Sequence, residues 1–331
     1  MEKAVVTGGG GFVGKAVVRM LVDQGTEVTV IGRNRYPDVE SMGARMACGD
    51  IRNMSFLDEA LHGHDTVFHV AAKAGIWGNF DEYYSINVQG TENVLAACRK
   101  NGINRLIYTS TPSVVFNRTD IKGVDEKTDY ANEFLCHYAE TKVMAEKMVL
   151  AANSNSLLTT ALRPHLVWGP GDTNLIPRLL ARGRSRKLTQ VGDGTNMVDI
   201  SYIDNVAQAH VLAGKNLETN GSAAGKAYFI SQGEPVNLWE WINDLFLRLD
   251  IPKVEKQIGF GKAYLLGMFC EKIYALFKIR QEPPMTRFLA EQLAKSHWFS
   301  IRNAETDLAY SAQISTAEGM SRLVSWVKKN L

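Results

Sequence analysis

Two groups of residues carry types and spacings suited to chemistry. Tyr138-Ala-Glu-Thr-Lys142 sets a phenol and an ammonium four residues apart. On a helix these positions share a face, so both groups point to one place. A phenol of ordinary pKa near 10 exchanges protons poorly at neutral pH, and a neighbouring cation is expected to bring it toward the working range. The second group is Thr7-Gly-Gly-Gly-Gly-Phe-Val-Gly14. Gly8, Gly11 and Gly14 are spaced as GxxGxxG, and Gly9 with Gly11 and Gly14 also fits GxGxxG. Gly11 would let the backbone approach a pyrophosphate, and Gly14 would let a helix sit close to the preceding strand. The phosphates would rest on the free N–H groups of Phe12 and Val13 at the helix start.

The Tyr–Lys spacing occurs twice, because Tyr274-Ala-Leu-Phe-Lys278 repeats it. Only Tyr138 follows the strand-like Arg105–Thr109, whose end supplies the hydroxyl run Thr109-Ser-Thr-Pro-Ser113. A hydroxyl there would hold a substrate oxygen and its developing charge. Thr111 is the first choice and Ser113 the second, with Thr109 and Ser110 read as caps of the strand end.

Cofactor choice is read at the end of the second strand, where an NAD site usually carries an acid for the ribose 2′-hydroxyl. Val28-Thr-Val-Ile31 ends instead in Gly32-Arg33-Asn34. Gly32 removes the carboxylate that would repel a 2′-phosphate, and Arg33 would grip that phosphate with its planar fork. The expected cofactor is therefore NADP (NADPH). The competing reading makes Arg33 a solvated cation like Arg35. Asp50 and Ile51 are expected beside the adenine, or else in a simple turn. Ala71, Ala72 and Lys73 follow the fourth strand, where ribose and nicotinamide would pass. Tyr138, Lys142 and Pro164 complete the expected cofactor contacts.

Positioning these groups takes a regular alternation of strands and helices, and the first half of the chain has it. Ala4–Thr7, Glu27–Ile31, Arg45–Cys48, Thr66–Val70, Arg105–Thr109 and Thr159–Leu162 are short β-branched or apolar runs. Helical patterns over Gly14–Gln24, Ser55–His62, Val88–Asn101 and Leu135–Asn153 lie between them. Such alternation implies crossovers on a parallel sheet. The expected fold is α/β: a Rossmann doubly wound parallel sheet with helices on both faces. Beyond Gly169-Pro-Gly171 the pattern is irregular, with strands read at Val198–Ile203 and Lys226–Ile230 and mostly helix after Pro235. Residues 1–164, with returning segments at about 192–232, are expected to form the NADP-binding domain. Residues 165–191 and 233–331 would form a smaller, mostly helical substrate domain.

Composition narrows the function class. Apolar residues make up 45% and charged residues 22% of the 331, the balance of an ordinary soluble globular chain. A net charge of +2 provides no field to gather nucleic acid. Cys48, Cys98, Cys136 and Cys270 are scattered without a C-x-x-C pair, which fits free thiols, a reducing cytoplasm and no metal site. His62 and His64 flank Gly63 without a nearby ligand set and read as a solvated loop. Met1–Val6 runs directly into a strand, so no secretory leader is expected. Gly261–Ile279 is rich in Leu, Met, Phe and Tyr, but its uncharged stretch Ala263–Cys270 is far short of the roughly 18–20 residues of a membrane span. It reads as a helix packed on its own domain, or as a hydrophobic wall or lid for a greasy substrate, touching membrane peripherally.

Taken in order, TGGGGFVG, NVQGTENV (87–94), YTSTPSV (108–114), YAETK, LRPHLVWGPGD (162–172), VGDGTNMVDISYIDNVAQAH (191–210) and GKAYFISQGEPV (225–236) resemble the extended short-chain dehydrogenases/reductases. Within them they resemble the 3β-hydroxysteroid dehydrogenase/isomerase family. The resemblance covers nearly the whole chain. It implies Tyr138 as proton donor or acceptor, Lys142 as its partner, and Thr111 in place of the usual serine. AAKAGIWG (71–78), YTSTPSV and EPPMTRFLAEQL with HWFS (282–300) are most similar to a bacterial branch serving long-chain olefin biosynthesis. There NADPH reduces a 2-alkyl-3-oxoalkanoic acid, a long-chain β-keto acid, to the 2-alkyl-3-hydroxyalkanoic acid. The implied mechanism is one hydride step, with Arg178, Arg182 or Arg287 available for the substrate carboxylate. A 3β-hydroxysteroid dehydrogenase acting on 4-carboxysterols is the alternative. A non-catalytic NADP-sensing protein would not need the three side chains together, and an epimerase would show no net oxidation. The resemblance also implies a homodimer through the helices after the fourth and fifth strands, and association with other olefin-pathway enzymes.

Overall fold

The computed structural model describes residues Met1–Leu331. Seven strands form one parallel sheet: β1 (Lys3–Thr7), β2 (Glu27–Gly32), β3 (Arg45–Cys48), β4 (Thr66–His69), β5 (Arg105–Thr109), β6 (Leu158–Pro164) and β7 (Lys226–Ile230). Their order is β7-β6-β5-β4-β1-β2-β3. Parallel neighbours cannot be joined by hairpins, so each connection crosses a face of the sheet. Helices α1 (Phe12–Asp23) and α6 (Ile203–Thr219) share the larger hydrophobic core on one face. Helices α2 (Met54–Leu61), α3 (Gly90–Lys100) and α4 (His137–Ala151) share a second core on the other. With both faces covered, the central strands are continuous apolar runs: Ala4–Val6, Val67–Phe68 and Leu106–Ile107 have no exposed surface.

The strand order reverses between β1 and β4. The connections leaving these two strands depart in opposite directions and open a crevice, the place where open α/β sheets take their ligands. The glycine loop after β1 and Ala71–Lys73 after β4 form its two lips.

Three expected strands, Arg45–Cys48, Arg105–Thr109 and Lys226–Ile230, have the bounds read from sequence. The expected strand Val198–Ile203 is replaced by two shorter ones. Met197–Val198 enters a four-stranded sheet with Val236–Asn237, His297–Phe299 and Ile121–Val124, while Ser201–Tyr202 pairs with Val167–Trp168. Two-residue strands carry no alternation to read, and their partners are distant in the chain. The helix expected at Val88–Asn101 also has an unforeseen entry, a π-helical turn over Ser85–Gln89. The C-terminal part is mostly helical, including α7 (Phe260–Leu276) and α8 (Arg287–Ala294), with α5 (Leu175–Arg184) preceding α6. No helix is long and apolar enough to cross a membrane.

Candidate active site

The crevice is a cleft of about 530 Å³. Gly8, Gly11, Phe12, Val13, Gly14, Arg33, Asp50, Ile51, Ala71, Ala72, Lys73, Tyr138 and Lys142 all line it. Pro164 does not: it closes β6, buried, opposite Ile230 of β7.

The glycine loop is built for close approach. Gly8 has φ +70°, and a Cβ there would stand 2.8 Å from the Ala71 backbone on the other lip. A Cβ on Gly14 would collide with the carbonyl of Gly8, so α1 can lie on β1 only with glycine there. Gly11 is the N-cap of α1 and no side chain caps the helix. Its first N–H groups, including those of Phe12 and Val13, therefore face the cleft for an anion. The Ser110 hydroxyl on the cleft wall is buried and has no partner within the chain. These features fit a bound dinucleotide.

Around the second strand's end the charges are sorted. Arg35 is paired with Glu40 at 2.8 Å and Arg52 with Asp50 at 2.7 Å. Arg33 is exposed, lines the cleft and makes no hydrogen bond or ion pair. The Arg52 pairing holds the Asp50 carboxyl below its ordinary pKa, so that group remains an anion at the cleft edge.

Tyr138 and Lys142 lie one turn apart on α4, and both reach the cleft. Their electrostatics differ from the sequence expectation. The Lys142 Nζ donates to the Tyr108 hydroxyl at 2.6 Å and to the Thr109 carbonyl at 2.6 Å, and makes no bond to Tyr138. Burial pushes the Tyr138 phenol up to about 12, against a smaller opposing pull from the Thr111 hydroxyl. Burial also brings the Lys142 ammonium down to about 7, with the Glu146 carboxylate pulling the other way. The pair as folded is thus a neutral phenol beside a lysine that titrates near neutrality, because desolvation outweighs the mutual effect. Neither Thr111 nor Ser113 lines the cleft, whose aliphatic hydroxyls are Thr109 and Ser110; the Thr111 hydroxyl eases ionisation of the Tyr138 phenol and donates to Ser113 Oγ at 3.2 Å. The repeat Tyr274/Lys278 is separated by the structure: α7 ends at Leu276 and Lys278 takes φ +51°, so the two side chains do not share a helix face.

A buried polar chain behind the cleft carries no sequence expectation. Thr7 Oγ1 meets His69 Nδ1 at 2.7 Å, and His69 Nε2 meets Thr91 Oγ1 at 2.9 Å. Burial presses the His69 imidazole down to about 3, so it stays neutral. Asn87, delivered by the π-helical turn, accepts from Lys73 N at 2.7 Å and donates to the Lys73 carbonyl at 3.1 Å. It also donates to Thr141 Oγ1 at 3.0 Å, tying the second lip to the Tyr138 helix. Below Lys142 on the same stripe, Glu146 is fully buried in a pair with Arg163 of β6, 2.5 Å apart, and accepts from the Tyr130 hydroxyl at 2.8 Å. The signals for these residues were weak: one histidine ending an apolar strand, and Glu146 four residues beyond Lys142.

None of the three arginines read as carboxylate ligands lines the cleft. Arg178 pairs with Glu282 at 3.0 Å, Arg287 with Glu271 at 2.7 Å, and Arg182 donates to the Pro284 carbonyl at 3.2 Å. Each is engaged in joining α5, α7 and the segment between α7 and α8.

A doubly wound sheet, a glycine loop at its switch point and a YxxxK helix across the cleft define an NAD(P)-dependent oxidoreductase of the extended short-chain dehydrogenase/reductase class. The chain belongs to the 3-beta hydroxysteroid dehydrogenase/isomerase family, whose model matches residues 5–258. It is 49% identical over 323 residues to a protein of Stenotrophomonas maltophilia named 2-alkyl-3-oxoalkanoate reductase, covering 97% of this chain and 98% of that one. It is 31% identical to the mouse (Mus musculus) sterol-4-alpha-carboxylate 3-dehydrogenase, decarboxylating, covering 98% of this chain and 90% of the relative. Among solved structures, MoeE5 in complex with UDP-glucose and NAD superposes with a TM-score of 0.77 at 24% identity, over 99% of each chain, which shows a shared fold.

Proposed function

We propose that this chain reduces a 2-alkyl-3-oxoalkanoic acid to the 2-alkyl-3-hydroxyalkanoic acid with NADPH. The observation that carries the reading is the 49% identity, over nearly both full lengths, to the Stenotrophomonas reductase. The preference for NADP rests on Gly32 and the unpaired Arg33 at the cleft edge. Residues 1–164 with 192–232 take the cofactor, and 165–191 with 233–331 take the substrate. The active unit is a homodimer through the helices after β4 and β5, working beside the other enzymes of olefin synthesis.

The roles follow from the site. When bound, the nicotinamide supplies hydride to the ketone carbon. Tyr138 is a neutral donor at every physiological pH, because burial favours its phenol, and it gives its proton to the ketone oxygen. Thr111 donates a hydrogen bond to the same oxygen and lowers the cost of charge developing there. Lys142 would hold the cofactor ribose when it is bound, and its ammonium would stabilise the phenolate left on Tyr138. Protonation of the oxygen and hydride addition to carbon leave a neutral alcohol and oxidised cofactor.

The β-keto acid loses CO2 readily, so the practical assay runs backwards. Purified protein with NADP and a synthetic 2-alkyl-3-hydroxyalkanoic acid is expected to build up the NADPH absorbance band. A second reading, oxidation of a 4-carboxysterol, is favoured by the 31% identity to the sterol dehydrogenase. Turnover of a 3β-hydroxysterol with NAD, and none of the hydroxy acid with NADP, would replace the first reading by the second.

A further inference from the structure

The proposed reaction leaves one charge without a partner. The 2-alkyl-3-oxoalkanoic acid and the 4-carboxysterol share a carboxylate on the carbon next to the reacting one, so the group that binds it must stand beside Tyr138. Taking that anion out of water is costly unless a cation meets it. Three cations line the cleft: Arg33, Lys73 and Lys142. Arg33 follows β2, three strands across the sheet from the end of β5, where Lys142 Nζ rests on the Thr109 carbonyl. At about 4.8 Å per strand that is roughly 14 Å, too far for a carboxylate so near the reacting carbon. Lys142 serves the ribose and the Tyr138 phenolate in the proposed reaction. Lys73 remains.

Lys73 stands on the lip that follows β4, the strand next to β5. Its backbone is fixed independently of its side chain. Asn87 accepts from its N–H at 2.7 Å, donates to its carbonyl at 3.1 Å and donates to Thr141 Oγ1 of α4 at 3.0 Å. The side chain runs between the Tyr83 ring and Gly78. Its Nζ lies 5.0 Å from the ring centroid, and a Cβ on Gly78 would stand 3.8 Å from its Cε. Tyr83, on the helix Phe80–Tyr84, packs in turn on His137, the residue before Tyr138, with ring centroids 6.4 Å apart. These contacts keep the ammonium near the start of α4.

The ammonium pairs with Glu82 at 3.0 Å, and the two partners differ in setting: the Lys73 side chain is 23% exposed and that of Glu82 56%. Glu82 also lines the cleft. A carboxylate this exposed holds its partner weakly. A substrate carboxylate can take its place while Glu82 turns to water, so the sheltered ammonium is never left without an anion.

We propose that the Lys73 ammonium binds the substrate carboxylate in exchange for Glu82, and so selects 3-oxo and 3-hydroxy acids over neutral ketones and alcohols. The identity of the ligand rests on the proposed reaction; the exchangeable pair at the cleft wall does not. A site built to pair a charge discriminates against an analogue that lacks the counter-charge.

The test uses the full-length protein, NADP, and a short-chain 2-alkyl-3-hydroxyalkanoic acid beside its primary amide, which keeps the shape and removes the charge. Lys73→Met should lower kcat/KM for the acid by about tenfold to a hundredfold, chiefly through KM, and change that for the amide by less than about twofold. Lys73→Arg should recover part of the loss. Glu82→Gln should move the acid the other way, lowering its KM by about twofold to fivefold, because the competing carboxylate is gone. NADPH affinity should stay within about twofold in every variant, since Asn87 holds the lip by its backbone. Equal losses for acid and amide, or a loss of NADPH affinity in Lys73→Met, would overturn the proposal. So would a Glu82→Gln variant as impaired as Lys73→Met, which would make the pair a fastener of the lip. Calorimetric binding of a 2-alkylalkanoic acid, which has no hydroxyl to oxidise, to the NADP-loaded enzyme separates this inference from the reaction. Binding that Lys73→Met weakens, without oxidation of the hydroxy acid, keeps the carboxylate site and removes the reaction. Oxidation that Lys73→Met leaves intact does the reverse, and no binding to the wild type also removes the site.

Discussion

The proposed preference for NADPH turns on Arg33. Its neighbours Arg35 and Arg52 are neutralised by Glu40 and Asp50, whereas its own guanidinium is unpaired at the cleft edge. A bidentate contact to a phosphate is worth about 1.5–3 kcal/mol, or roughly a factor of ten to a hundred in affinity. Arg33→Ala is therefore expected to weaken NADPH binding by about that factor and to leave NADH within about twofold, measured by cofactor fluorescence titration. Equal losses for both cofactors would place Arg33 elsewhere in the site. At the same scale, the phenol was expected to be acidified by lysine, and the structure shows why it is not. Lys142 is held by Tyr108 and Thr109, so burial dominates the Tyr138 phenol, with the Thr111 hydroxyl pulling less strongly the other way.

At the scale of elements, α4 presents the proposed catalytic groups as one stripe: Tyr138, Lys142 and Glu146 succeed one another at four-residue steps. Glu146 pins that helix to β6 through Arg163 and opposes the burial-driven fall of the Lys142 pKa. Glu146→Gln leaves Arg163 buried without its counter-charge, a loss of about 3–5 kcal/mol in urea unfolding. Removing the carboxylate also lets Lys142 deprotonate more readily. The rate that depends on its ammonium should therefore fall at a lower pH than in the wild type. An unshifted pH–rate profile would leave Glu146 a purely structural anchor. The sequence was informative wherever one element contains the whole signal. Gly8 to Gly14, Tyr138 with Lys142, and the apolar runs of β1 to β5 each declare themselves within a few residues. It was uninformative where the signal is divided: Asn87 matters through a π-helical turn, and Met197–Val198 through the distant partners Val236–Asn237 and His297. The expected strand Val198–Ile203 runs the end of that strand into Ser201–Tyr202, because nothing local separates them.

At the scale of the molecule, Asp199 joins distant parts of the chain. It accepts from the Phe299 backbone N–H at 2.8 Å, while its other oxygen is buried without a partner. Burial pushes the Asp199 carboxyl up to about 7. A carboxyl raised on folding contributes stability below its unfolded pKa near 4, and that contribution is lost as pH rises through the folded value near 7. Asp199→Asn should accordingly raise the unfolding free energy by about 2 kcal/mol at pH 8 and by little at pH 4, read from urea unfolding at the two pH values. A benefit larger at the acid end would contradict the assignment.

The central claim is that Tyr138 transfers the proton in a cleft that binds NADPH. It is tested most directly by Tyr138→Phe, with NADPH affinity and the oxidation rate of a 2-alkyl-3-hydroxyalkanoic acid measured on the same preparation. The phenyl ring keeps the packing and removes the phenolic proton, so affinity should stay within about twofold while turnover falls by about a hundredfold or more. A variant that keeps its turnover would contradict the account, and the proton donor would then have to be another group on the cleft wall.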